Sequence, residues 1–418
     1  MKLLHVVHGY PPNMGGTQRL FQELSQRLVQ TYGDEVTVFT TNAYSNYHFW
    51  QEDDRTMPAG TEQMNGVTVR RFPVFNRFSG ARLNLARVLY KLGLPGHDWA
   101  RTWHNGPIVP GLTQAIANFE ADVVTAAAFP LLHMQNARRG AQQSHTPLLY
   151  FGALHPEDVW GFERQLIYQS IAEADGFLAA TSFEKAFLGK RGIAPDKITV
   201  LGAGVDVAEL AKADGRSWLT SHQLTDEPII AFVGQQVAHK GIDTLLQAMP
   251  RIWQQLPTAR LVIAGKPTGY SQTIRAMLAE LPPAQRPYVL LLDSPTDEEK
   301  NGLLAACDVL ALPSKHESFG MVLAEAWACG KPVVGCHVGG VAALVDDEQD
   351  GLLVPVGDAE ALAQSLLCLL RNQSLREEMG AAGKKKVESR YTWQAVTAVY
   401  RETCLAAINR FQQAPSQK

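Results

Sequence analysis

Short apolar runs alternate with stretches of helical periodicity along nearly the whole 418-residue chain. The runs Leu3–Val7, Glu35–Thr40, Val67–Phe72, Val123–Ala126, Leu148–Phe151, Phe177–Ala180 and Ile198–Leu201 read as strands of a first half. Ile229–Val233, Arg260–Ala264, Tyr288–Leu292, Val309–Leu312 and Pro332–Gly335 read as strands of a second. Most are unbroken rather than alternating, as expected of parallel strands covered on both faces. Alternation of strand and helix then predicts an α/β protein with two doubly wound parallel sheets. The polar stretch Ala208–Pro228 follows Gly204-Val205-Asp206 and precedes a fresh strand, so it predicts a linker between domains 1–207 and 208–391. A chain of this length exceeds the usual size of one core. Two such halves facing one another would hold ligands in the cleft, at the carboxyl ends of their strands.

One segment, PSKHESFGMVLAEAWACGKPVVGCHVGG at residues 313–340, concentrates the candidate chemistry. A strand ending at Leu312 leads into a polar loop at 314–318, and a helix is predicted from about Gly320 to Ala328, stopped at Cys329-Gly330. The first amides of a helix lack internal partners, and the aligned peptide dipoles favour an anion there. Ser318, Phe319, Gly320, Met321 and Val322 are therefore placed to meet a phosphate. Glu325, further along the helix, is placed to accept hydrogen bonds from a sugar or ribose diol. It lies among Leu323, Ala324, Ala326, Trp327 and Ala328, a setting in which a carboxylate needs a partner. Glu317 falls in the loop mouth, on the reacting side.

Composition narrows the class without naming it. With 46% hydrophobic residues, 19% charged and a formal net charge of -3, no bulk attraction to nucleic acid is expected. Five cysteines, all in the second half and without a CxxC pair, read as reduced thiols. Met1–Gly9 is too short an apolar run for a signal peptide, and no stretch approaches a membrane span. A soluble cytoplasmic protein, at most peripheral to the inner face of the membrane, is the expectation. Residues 75–103 stand apart: Arg77, Arg82, Arg87, Lys91 and Arg101 face a single acid, Asp98, with aromatic and aliphatic residues interleaved. Such a segment is either a helix packed on the first sheet with a solvated basic face, or an amphipathic surface for anionic lipid.

The spacing from Glu317 to Glu325 resembles the signature of the retaining glycosyltransferases of family 4, which have the GT-B fold of two Rossmann-like domains facing a central cleft. Further matches follow in the order that family requires. Pro11-Pro12-Asn13-Met14-Gly15-Gly16 precedes an amphipathic helix, and His155 follows the run Leu148–Gly152. Gly204-Val205-Asp206 resembles the close of the N-terminal domain, and Phe232-Val233-Gly234 with Lys240-Gly241 resembles the phosphate loop of the C-terminal one.

The resemblance implies an acceptor-binding first domain, a donor-binding second domain, and a helix at about 392–411 that returns to the first. It implies sugar transfer from a nucleotide diphosphate sugar to a hydroxyl of a glycan, a lipid-linked or a small-molecule acceptor. No metal or other cofactor is expected, since the sequence has no Asp-x-Asp cluster. Lys240, the Gly15-Gly16 loop and the helix amides after Glu317 would meet the diphosphate, Glu325 the ribose, and Glu317 and His155 the reacting sugar. Gly234 and Gln235 belong to the same loop, but the family commonly has arginine after this glycine, and Gln235 removes a bidentate phosphate donor. Lys266 or His239 are candidates to compensate, and Gly339-Gly340 is expected to shape a loop near the same phosphate. Rival readings are a GT-B sugar phosphorylase, a nucleotide-sugar epimerase, and a non-catalytic subunit of the same fold. A dinucleotide oxidoreductase is disfavoured, because no GxGxxG follows the first strand.

Overall fold

In a computed structural model, which describes residues 1–13, 15–51 and 55–413, the chain divides into two units. One comprises Met1–Ala203 and the chain from Val396 onward, and the other Gly204–Ala395.

The first unit is built on eight strands: β1 (Lys2–Val7), β2 (Glu35–Thr41), β3 (Gly60–Met64), β4 (Val67–Phe72), β5 (Val123–Ala127), β6 (Leu148–Phe151), β7 (Gly176–Ala179) and β8 (Ile198–Val200). Their order is β3-β4-β2-β1-β5-β6-β7-β8, with every pair parallel except β3–β4. The central β1 pairs Leu3 with Val36 on one side and Val123 on the other, and all three are buried. Strand β3 has no apolar run to announce it, because its Thr61, Glu62 and Gln63 are exposed at the sheet edge. Its signal lies in the turn: Asn65 and Gly66 both take positive φ, 51° and 83°, as a two-residue hairpin connection requires.

The second unit has six parallel strands: β9 (Ile229–Val233), β10 (Arg260–Gly265), β11 (Val289–Asp293), β12 (Val309–Leu312), β13 (Val333–Cys336) and β14 (Gly351–Val354). Their order is β11-β10-β9-β12-β13-β14, so the winding reverses between β9 and β12. In such sheets the crevice outside the carboxyl ends at the reversal point is where ligands bind. Strands β9, β12 and β13 are buried throughout.

Two expectations change. The stretch 208–228 is not a free linker but carries the helices Val207–Leu210 and Gly215–Ser221, capped by Asp206 and Asp214. Trp218, 5% exposed, docks them against Gly302 of the helix Asp297–Ala306. Segment 75–103 forms the helices Ser79–Lys91 and His97–Asn105, and its charge pattern is partly inverted. Arg82 and Arg101 are each 1% exposed. Arg82 donates to the carbonyls of Trp103 and Phe49 at 3.2 and 3.3 Å, and Arg101 to Asp98 at 2.6 Å and to the Val159, Trp160 and Glu163 carbonyls. Phe78, Leu85, Val88 and Leu92 instead face outward.

The helix Trp393–Gln413 begins in the second unit, where Trp393 fills the space a side chain at Gly204 would need. From Val396 it belongs to the first unit. There the Tyr400 hydroxyl bonds Thr125 Oγ1 at 2.7 Å and His5 Nε2 at 2.8 Å, and Arg401 reaches Asp34 at 2.8 Å.

Candidate functional site

Three loops at the carboxyl ends of β9, β10 and β12 are knitted together in the second unit. Lys315 N–H donates to the His239 carbonyl at 2.7 Å, and Gln236 N–H to the Lys266 carbonyl at 3.0 Å. Gly241, at φ 73°, lies so close to the Pro313 carbonyl that a Cβ there would sit 1.9 Å from the oxygen. Only glycine allows these two loops to touch.

That contact brings Lys240, at the end of the short turn Ala238–Lys240, onto the loop after β12. Its ammonium group is ion-paired and hydrogen-bonded with the Glu317 carboxylate. Phe319 is buried against Tyr391, edge to face with ring centroids 5.3 Å apart, which anchors the far side of the loop. Gly320 takes φ 85° and opens the helix Met321–Ala328, one residue later than expected. No side chain caps this helix start, and uncapped leading amides in general favour an anion. Gly339 and Gly340 are the first turn of the helix Gly339–Leu344, not a loop. A Cβ at Gly340 would meet the Ser318 carbonyl at 2.2 Å, and its N–H points to the Glu317 carbonyl at 3.3 Å, so this helix buttresses the Glu317 loop.

Glu325 is 9% exposed, and its partner is Lys300 Nζ at 2.8 Å, reached from the helix Asp297–Ala306. Sequence reasoning called for a partner without finding this one: Lys300 sits in the polar string Asp297-Glu298-Glu299-Lys300, which reads as a solvated face. Gln235, Lys266 and His239 are exposed in the surrounding loops, and Lys315 Nζ is held by Asp243 at 3.2 Å.

In the first unit, Gly15 is the extended residue that opens the helix Gly16–Tyr32, so the second glycine of the pair is already helical. Again no side chain caps the start. Met14 lies outside the described residues. The preceding loop is gripped by Arg71 of β4, which donates to the Pro11 carbonyl at 2.5 Å and to Glu62 at 2.6 Å. Asn13 adds a bond to the Ala43 carbonyl at 3.1 Å. Nothing in the sequence around Arg71 marked it. His8 and His133, also missed, lie behind this loop, and burial pushes them down to about 4 and about 3, so both stay neutral near pH 7.

His155 lies half-buried in the loop after β6, edge-on to Phe162 at 5.4 Å. Beneath that loop is a group the sequence did not single out. Glu184, 4% exposed, accepts the N–H of Leu154 at 2.8 Å and that of Ala180 at 2.6 Å. Burial pushes its carboxyl up to about 7, while the two amide bonds pull it down. The second unit thus gathers the Lys240–Glu317 pair, an uncapped helix start and the Lys300-paired Glu325. The first places a glycine-opened helix and a histidine.

Both units match glycosyltransferase profiles: Glycosyltransferase Family 4 over residues 14–209 and Glycosyl transferases group 1 over residues 217–386. Among relatives, the D-inositol 3-phosphate glycosyltransferase of Xylanimonas cellulosilytica is 32% identical over 416 residues, covering 95% of this chain and 93% of that protein. The protein of the same name from Salinispora tropica is 35% identical over 239 residues, 54% of this chain, and the match spans only about half (49%) of that relative. Among solved structures, sucrose-phosphate synthase from Thermosynechococcus elongatus has a TM-score of 0.71 at 21% identity, covering 97% of this chain and 100% of that one. Anabaena HepE in complex with UDP-glucose has a TM-score of 0.72 at 17% identity, with the same coverage. Two doubly wound α/β domains with these neighbours define the GT-B fold. The chain belongs to glycosyltransferase family 4.

Proposed function

We propose that this enzyme moves a sugar from a nucleoside diphosphate sugar to a hydroxyl acceptor, with retention of anomeric configuration and without a metal ion. The observation that carries this reading is the Lys240–Glu317 ion pair beside an uncapped helix start. As the anomeric bond breaks, negative charge grows on the departing diphosphate, and fixed donors at that point lower the barrier most. Lys240 and the amides at Met321 and Val322 are those donors, and Glu325 receives the ribose hydroxyls. Glu317 holds the donor sugar. The acceptor hydroxyl attacks from the face the diphosphate leaves, and a departing phosphate oxygen takes its proton, so no strong protein base is required. From the first unit, the amides at Gly15 and Gly16 are assigned to phosphate, and His155 to a sugar hydroxyl.

The relatives named for D-inositol 3-phosphate and the neighbour holding UDP-glucose make those two compounds the first to try. A thermal-shift panel of UDP-, GDP- and ADP-sugars should raise the apparent stability with at least one, by about 2.7 kcal/mol at a hundredfold excess over Kd. Nucleotide release should then require a hydroxyl acceptor, survive EDTA and give a product of unchanged anomeric configuration. Release driven by inorganic phosphate would make it a phosphorylase, and conversion of the donor without acceptor an epimerase. No shift with any donor would leave the non-catalytic subunit standing.

A peripheral cytoplasmic placement rests on a second observation. Among the described residues no helix is long and apolar enough to cross a membrane. The outward residues Phe78, Ala81, Leu85, Val88 and Leu92, spaced by three and four, form one apolar stripe, with Arg77, Arg87 and Lys91 also exposed nearby. That pattern suits the surface of an anionic bilayer, which a lipid-linked acceptor would share. Co-sedimentation with phosphatidylserine vesicles but not with phosphatidylcholine vesicles is expected, and equal absence from both pellets would end this part.

A further inference from the structure

Glu184 has no place in the reaction outlined above, yet it is a carboxylate enclosed in the first unit without a cation among the described residues. It projects from the helix Ser182–Lys190, which follows β7. Both oxygens are used: Oε1 accepts from Leu154 N–H and Oε2 from Ala180 N–H. The groups facing it are those two amides, the Gly152 backbone and the Phe177 ring, and among the described residues no charged side chain contributes to its ionisation. Its neighbour Lys185 is turned away to the Ile198 carbonyl at 2.8 Å. At Gly152 a Cβ would lie 2.2 Å from Oε1, so the chain runs directly over the carboxylate. The next residue, Ala153, takes φ 54°, a left-handed conformation that an alanine does not hold unaided. The bond at Leu154 pins the far end of that bend, and His155 is the next residue.

We propose that Glu184 is a positioning residue: ionised, it ties the bend at Gly152–Leu154 to the end of β7 and so sets where His155 stands. A protonated carboxyl turns an O–H toward one of the two N–H donors, loses that bond and releases the bend. The inference rests on the reading that His155 meets a sugar hydroxyl, but the coupling of Glu184 to the His155 loop can be measured by itself.

The test is an NMR titration of the intact protein with carbon-labelled glutamate carboxyls and histidine rings, from pH 5 to 9. The Glu184 carboxyl should titrate near neutrality, and the His155 ring signals should show an inflection at the same midpoint. In Glu184→Gln that inflection should vanish. Turnover of UDP-, GDP- or ADP-glucose by the variant should fall on the order of tenfold in kcat with donor KM within about twofold, as a misplaced group costs. Glu184→Asp, able to reach one amide, should fall between. His155 signals blind to the Glu184 titration, or a Glu184→Gln enzyme with unaltered kcat and pH profile, would overturn the proposal. If His155→Ala keeps full turnover while the shared inflection persists, the role given to His155 fails and the coupling stands. The wild-type titration decides the matter even if Glu184→Gln does not fold.

Discussion

Glu184 and Glu325 are the same residue on two short helices, 4% and 9% exposed, yet their surroundings solve the problem of a buried carboxylate differently. Glu325 is matched by the ammonium group of Lys300 at 2.8 Å. Glu184 has only two peptide N–H groups, and its ionisation is pushed up to about 7. At Glu325 the compensation for burial comes from a full opposite charge. Amide dipoles repay only part of the lost hydration, so the group is left able to titrate near neutrality. Burial alone therefore says little about what a glutamate does; the chemistry of the atom facing it decides.

The largest effect is expected at a third glutamate, Glu317, where the proposed reaction uses both carboxylate and cation. Glu317→Ala should cut kcat by about 100-fold or more while donor Kd moves only severalfold. Equal losses in both, measured by steady-state kinetics and calorimetry, would reduce Glu317 to a binding residue. Next, Lys300→Met should strand the Glu325 charge and cost about 3 kcal/mol in urea denaturation. Lys300→Met combined with Glu325→Leu should recover most of it. A loss below about 1 kcal/mol for the single variant would show that the pair is hydrated and that the contrast with Glu184 is overdrawn.

The pH dependence of stability separates the two sites further. Because Glu184 has a folded value raised from 4.5 to about 7, the native state binds more protons than the unfolded chain within that interval. Its contribution is fully present below pH 4.5, falls as pH rises through about 7 and is flat above. The full change amounts to about 3 kcal/mol. Glu184→Gln should remove this slope between pH 5 and 7, and Glu325→Gln should not. The smallest effect is expected at Gln235, exposed in the loop after β9. Gln235→Arg should tighten nucleoside diphosphate binding about tenfold by adding a charge-assisted donor. An unchanged or weaker Kd would count against placing the diphosphate there.

Much of this was legible in the chain. Strands that lie inside a parallel sheet are mostly apolar on both faces, so β9, β12 and β13 stand out as unbroken runs, and β1 and β5 are interrupted only by the hydrogen-bonded His5 and Thr125. Strand β3 did not, because an edge strand with exposed Thr61, Glu62 and Gln63 needs no apolar residues. The stretch 208–228 looked like a linker because its helices are held by two aspartate caps and one tryptophan, too few apolar positions to show a period. In segment 75–103 the charges were read correctly, but two of the five basic residues, Arg82 and Arg101, were placed on the surface and are buried. An arginine can be buried when backbone carbonyls converge on it, and those carbonyls come from Phe49, Trp103 and Val159–Glu163.

Local order along the chain was enough to mark most strands of the two sheets, the glycine-opened helices and the Glu317–Glu325 segment, since each depends on neighbours a few residues apart; β3 and β14 escaped it. Which charges meet was decided only by the tertiary structure. Lys240 finds Glu317 across 77 positions, Lys300 finds Glu325 across 25, and Glu184 reaches back 30 to Leu154. Such partners carry no periodic signal, because an ion pair or a buried amide bond constrains one atom on each side and leaves the residues between them free to vary.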